Sequence, residues 1–224
     1  MFAVWMTAFA CFAPAHADDG GDALGHRVVE ATGNVYGIST LAFTFIVEAG
    51  GTEKARRTHT WDRMAGTVSV TTGDTTVQLQ NLHHHDPSSA VANPGAHDDL
   101  WSKVAPGTDP EAAAKAWSAW INDSYWLLAS GKVMDDGVTR IVDDTGRLVL
   151  TFDGVGVTPG DTYMLTVDRD SGQVTAWDFV LQGGQKGHFA WTEHTTVGPL
   201  TLSMRRSTEA GDFVIRFEGV SASP

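Results

Sequence analysis

Cysteine is nearly absent: Cys11 is the single one in 224 residues. It lies in an N-terminal stretch that reads as removable, so the remainder has no thiol for a disulfide or a nucleophile. Basic residues are also scarce, with 15 Lys and Arg against 27 Asp and Glu and a formal charge of −12. That balance excludes a nucleic-acid partner, because a phosphate backbone would repel it and no basic stripe compensates. It also argues against docking on anionic headgroups by charge alone. No later run reaches the roughly 18 apolar residues of a transmembrane helix. The motifs GxSxG and HExxH do not occur. Nothing in the sequence argues for an enzyme, and no cofactor is expected.

Charge is missing altogether from the first seventeen residues, MFAVWMTAFACFAPAHA. An apolar run from Phe2 to Ala13 leads to Ala15-His16-Ala17, a small-x-small cleavage site, and then to the abrupt polarity of DDGGD. This is the pattern of a secretory signal peptide, residues 1–17, too short to span a bilayer. The mature chain, 18–224, would begin at Asp18, and with 42% hydrophobic residues in the full sequence it keeps enough for a sizeable core without disulfides. The alternative is a lipoprotein acylated at Cys11, but Phe9 is bulky at a position that wants a small residue.

What is present is mostly strand. DALGHRVVEATGN, 22–34, spaces Leu24, Val28 and Val29 as a helix does and stops at Gly33-Asn34. TLAFTFIVEA then alternates Phe43, Phe45 and Val47 with polar neighbours, and KARRTHTWDR, GTVSVTT and TTVQLQNL continue a meander of about four strands. From His83 to Pro110 the composition turns to Pro, Ser, Asn and Asp: a long connection with one helical turn near Leu100-Trp101. After a polar region ending at Asp144, six further strand patterns follow: RLVLTFDGV, DTYMLTVDR, QVTAWDFVLQ, GHFAWTEH, GPLTLSMRR and DFVIRFEGV. About ten strands with helices only at the start and in the middle predict an α+β fold. One extensive, curved antiparallel sheet carries helices on one face, with no linker to divide it.

The central helix begins where Asp109 can cap and Pro110 can open it. Trp117, Trp120, Ile121 and Tyr125 form one stripe, whereas Trp126, nine residues from Trp117, falls on the opposite side. Asn122-Asp123-Ser124 are cap-formers that compete with helical hydrogen bonds, which predicts a break there and a second short helix that re-aims Trp126. Two short helices at an angle would make a lid.

The pieces HRVVEATGN, STLAFTFIVEA, WINDSYWLLASGKVMDDGV, LTFDGVGVTPGDTYMLTVDRDSGQVTAWDFVL and WTEHTTVGPLTLSMRR together resemble a family of uncharacterised bacterial exported proteins. That family is similar in fold to the lipoprotein carriers LolA and LolB. The resemblance covers most of the mature chain and is densest from Trp120 to Arg206. It implies a half-barrel, a strongly curved sheet wrapped over helices around an apolar cavity, working in the periplasm on acyl chains or other lipophiles. It carries no binding residue to this chain.

Several residues invite a functional reading. His83-His84-His85-Asp86 has metal-like spacing, with His97, Asp98 and Asp99 able to complete a site, but it lies in a Pro/Ser/Asn loop and reads as solvated; no metal is expected. His59, His188 and His194 fall in strands, where a histidine is more often structural than catalytic. GVGVTPG, with Gly154, Gly156 and Gly160, reads as a turn because no helix follows it. The aromatics are the sharper signal. Trp61, Trp117, Trp120, Tyr125, Trp126, Tyr163, Trp177 and Trp191 exceed what closes a plain meander, and Trp and Tyr suit a pocket with an apolar wall and a polar handle. Read this way, the protein shelters a hydrophobic small molecule or lipid between sheet and lid, with a membrane or lipoprotein as a transient partner. The rival readings are an interaction domain with a filled core and, more remotely, a metal-dependent hydrolase using the histidine loop.

Overall fold

The structure, a computed structural model, describes residues 19–152 and 160–224. The leader expected at 1–17 and most of the GVGVTPG turn lie outside the described residues. Helix α1 (Asp19–Thr32) comes first and stops at Gly33, whose φ of 91° is the left-handed conformation that closes a helix, its N–H donating to the Val29 carbonyl. Strands β1 (Thr40–Ala49), β2 (Thr52–Asp62), β3 (Thr67–Thr72) and β4 (Thr75–Leu79) form the first meander. Two helices follow, α2 (Asp98–Val104) and α3 (Pro110–Leu128). Then come β5 (Val138–Val142), β6 (Leu148–Phe152), β7 (Thr162–Val167), β8 (Val174–Val180), β9 (Lys186–Val197), β10 (Leu200–Ser207) and β11 (Phe213–Ser223).

All eleven described strands belong to one antiparallel sheet in the order β4-β3-β2-β1-β11-β10-β9-β8-β7-β6-β5. The β1–β11 pairing is the seam joining an N-terminal meander to a C-terminal one. The sheet stays open, with β4 and β5 as its two edges. The chain must therefore cross from one edge to the other between β4 and β5. Helix α3, at 19 residues about 28 Å long, makes that crossing over the helical face of the sheet. Register shifts at Ala42/Thr44 and Val47/Glu48 in β1, and at Thr166/Val167 in β7, bend the strands as bulges do and help the sheet curve around the helix.

The strand missing from the sequence reading is β5, hidden in the stretch read as polar. Only Val138 of VTRIV is buried and Ile141 is 44% exposed, so an edge strand with little alternation left no pattern to find. In place of the single helical turn expected near Leu100-Trp101, α2 runs for seven residues, about two turns, held by the burial of Trp101 and Val104.

Two apolar clusters lie between sheet and helices. One gathers Phe43, Phe45, Val68, Leu79, Trp101 and Leu202, and the other Val28, Leu148, Leu165, Trp177, Phe189 and Trp191. Arg206 on β10 is fully buried, its guanidinium 4.1 Å over Trp191 and 4.9 Å from Phe217, with an Nη1–H donating to the Ser203 carbonyl. Burial without an anionic partner pushes its pKa down to about 9. Among the described residues, no helix is long and apolar enough to cross a membrane.

Candidate functional site

Asp109 caps α3 as expected, its carboxylate accepting from the Ala112 N–H at 3.1 Å with Pro110 at the first helical position. The expected break at Asn122 to Ser124 does not occur, for α3 runs unbroken to Leu128. Each cap-former has found another partner. Ser124 Oγ–H donates back to the Ile121 carbonyl at 3.3 Å, Asn122 Nδ2–H donates to Asp123 at 2.9 Å, and Asp123 turns to the sheet. Nor is Trp126 left exposed by the straight helix. The sheet wraps far enough that the two sides of α3 meet different clusters, Trp117, Trp120 and Ile121 against the first and Tyr125 against the second, with Trp126 touching both.

Between α3 and the sheet, the described residues bound a cavity of about 700 Å³. Six of the eight aromatics singled out from the sequence line it: Trp61, Trp120, Tyr125, Trp126, Tyr163 and Trp177. Their rings interlock, Tyr163 and Trp126 each 4.7 Å from Trp177 and Trp120 6.0 Å from Trp61. Phe152 and Phe179, which the sequence reading passed over, extend the same wall. The other two aromatics stand elsewhere. Trp117 packs against the first cluster and donates its indole N–H to Ser88 Oγ at 3.2 Å. Trp191 lies beneath Arg206 in the second cluster.

Polar groups also line the cavity. Lys132 Nζ lies 3.5 Å from Asp135, whose carboxylate accepts from the Tyr36 hydroxyl at 2.5 Å, and Arg63 donates to the Tyr36 carbonyl. Asp161, 3% exposed, accepts from the Tyr163 hydroxyl at 3.0 Å and from the Gln182 N–H at 2.9 Å. Burial raises the pKa of the Tyr125 hydroxyl, and its neighbours Tyr163, Asp135 and Asp161 raise it further, so it stays protonated.

Beside the cavity is a constellation that sequence reasoning missed. Asp123, fully buried on α3, accepts from Arg57 Nε at 2.6 Å and Nη2 at 2.7 Å, with His59 Nε2 at 2.8 Å. Arg57 and His59 are two apart on β2 and so share a face with Trp61. His59 stacks on Phe43 at 4.8 Å. Burial pushes the Asp123 carboxyl up, but the bonds from Arg57 and His59 and the Arg57 charge outweigh it, leaving the pKa below the ordinary value. The group ties α3 to the sheet, since an ion pair with a bidentate fork fixes both partners in direction as well as distance. A carboxylate three residues after Trp120, on the apolar stripe, was the signal for it.

The remaining candidates are dispersed. His83 and His84 are exposed, as are His97, Asp98 and Asp99, and His83 Nε2 lies 3.4 Å from the Met64 carbonyl. Among the described residues, no three His, Cys, Asp or Glu are grouped to hold a metal ion. His188 Nδ1 pairs with Asp178 at 2.8 Å on the surface, and His194 Nε2 faces the Val174 carbonyl at 3.0 Å with its pKa lowered by burial.

No family model matches the sequence, and no curated protein matches it. Among solved structures, the chain is similar to a LolA superfamily protein from Nitrosomonas europaea, at 8% identity over 90% of this chain and 92% of that chain, with a TM-score of 0.47. It is also similar to a DUF1329 family protein from Desulfovibrio piger, at 9% identity over 92% of each chain, with a TM-score of 0.41.

Proposed function

We propose that this protein is an exported carrier that shelters a lipophile between α3 and the curved sheet. The observation that carries the reading is the cavity of about 700 Å³ with its aromatic wall, within the roughly 300–1,000 Å³ of small-molecule sites. A filled core would leave no such space, which favours the carrier over a purely structural domain. The third alternative, a hydrolase, needs at least three His or Asp side chains on one point, and the described residues offer no such group. Burying a chain of ten methylenes supplies about 8 kcal/mol before the cost of association, so micromolar binding is reachable without a charged contact.

The test is a thermal-shift series with neutral long-chain alcohols and monoacylglycerols. A lipophile present at a hundred times its Kd should stabilise the folded chain by about 2.7 kcal/mol. Trp126→Ala removes a wall residue 4.7 Å from Trp177 and should weaken the shift. If no lipophile in the series moves the melting temperature, the carrier reading fails.

A further inference from the structure

Resting on that reading, we infer that the cavity selects among lipophiles by the charge of the head, taking an alkyl chain that ends in an ammonium group and rejecting the carboxylate of a fatty acid. Among the described residues, five charged side chains line the cavity: Arg63 and Lys132 against Asp135, Asp136 and Asp161. The two cations are engaged, Lys132 with Asp135 and Arg63 with the Tyr36 carbonyl. Arg63 keeps its charge against a neutral carbonyl, so two cations against three carboxylates leave the lining with one net negative charge, and Asp136 and Asp161 are the carboxylates outside the Lys132–Asp135 pair.

Asp161 is the decisive residue. It is 97% buried, and among the described residues it pairs with no cation; its two partners there, the Tyr163 hydroxyl and the Gln182 N–H, are neutral donors. A carboxylate has about four lone-pair sites, so these donors leave acceptor capacity unused. A buried charge ordinarily needs a counter-charge to offset its lost hydration. Here the ligand would supply it.

The rings around Asp161 suit the same head. Tyr163 packs against Phe152 at 4.8 Å and Trp177 at 4.7 Å, and Tyr125 closes the group 6.4 Å from both Tyr163 and Trp177. Aromatic faces attract alkylammonium ions through their quadrupole, more strongly where water is excluded. An anionic head would meet Asp161 and Asp136 as like charges in a partly desolvated space, the arrangement by which proteins reject wrong partners.

The experiment compares dodecylamine, dodecanol and dodecanoate by isothermal calorimetry below their aggregation concentrations. Their chains are matched, so only the head differs. Dodecylamine should bind about tenfold more tightly than dodecanoate, with dodecanol between them. Asp161→Asn should narrow that gap to about twofold, and Asp136→Asn, on an exposed residue, should narrow it in the same direction even if the first variant fails to fold. Dodecanoate binding as tightly as dodecylamine, with dodecanol also bound, overturns the selectivity and leaves the carrier reading standing. If none of the three binds, both fail. Lysophosphatidylethanolamine, added as a further probe, separates the sources of the head: binding alongside dodecylamine identifies a membrane aminolipid, and exclusion identifies a free amine.

Discussion

Asp123 occupies a helix position where the stripe of Trp117, Trp120 and Ile121 would lead one to expect another apolar side chain. Its carboxylate is fully buried, and what makes that tolerable is the fork from Arg57 together with His59, both reaching it from β2. Removing the carboxylate leaves Arg57 facing apolar surroundings. Because Arg57 is still 24% exposed, it can partly rehydrate, so Asp123→Ala should cost about 3 kcal/mol, the lower end for breaking a buried pair. Urea denaturation measures this directly. The carboxyl titrates lower in the folded chain than in the unfolded one, where it lies near about 3.9. Its contribution is therefore complete above that value and is lost as pH falls through the folded one. Asp123→Asn should accordingly show a shallower loss of stability than the parent as pH falls from about 5 to about 2. Parallel curves would mean that the ion pair carries no stability.

At the scale of the element, α3 decides what the rest of the chain can enclose. Its start was legible from Asp109 and Pro110, residues that work locally whatever the tertiary context. Asp109→Ala should therefore cost about 1 kcal/mol, as the loss of a helix cap does, and leave ligand affinity unchanged within error. A loss above about 2 kcal/mol in chemical denaturation would give Asp109 a role beyond the cap. The interior of the helix was not legible in the same way. Asn122, Asp123 and Ser124 compete with a helix only when their side chains lack other partners, and the partners here are Arg57 and His59 from distant sequence and two groups within α3 itself. Trp126 looked misplaced for a related reason. A helix on a flat sheet buries one stripe, whereas one held in a curved sheet can bury two, and local periodicity carries no information about curvature.

Across the whole molecule, alternation was strong enough in ten strands to reveal the sheet, and it failed at β5, an edge with one buried residue in five. The aromatic excess pointed to the cavity, and six of its eight members line it. Trp117 and Trp191 serve packing instead, a division that depends on how two meanders separated by about sixty residues meet across the seam. The account turns on that cavity being a place for a chain of methylenes. The most direct measurement is quenching of tryptophan emission by a neutral lipophile brominated along its chain, compared between the parent and Ser124→Phe, which places a ring into the cavity from α3. The account predicts saturable quenching in the parent and its loss in Ser124→Phe at an unchanged melting temperature. Equal quenching in both chains, or none in either, would contradict it.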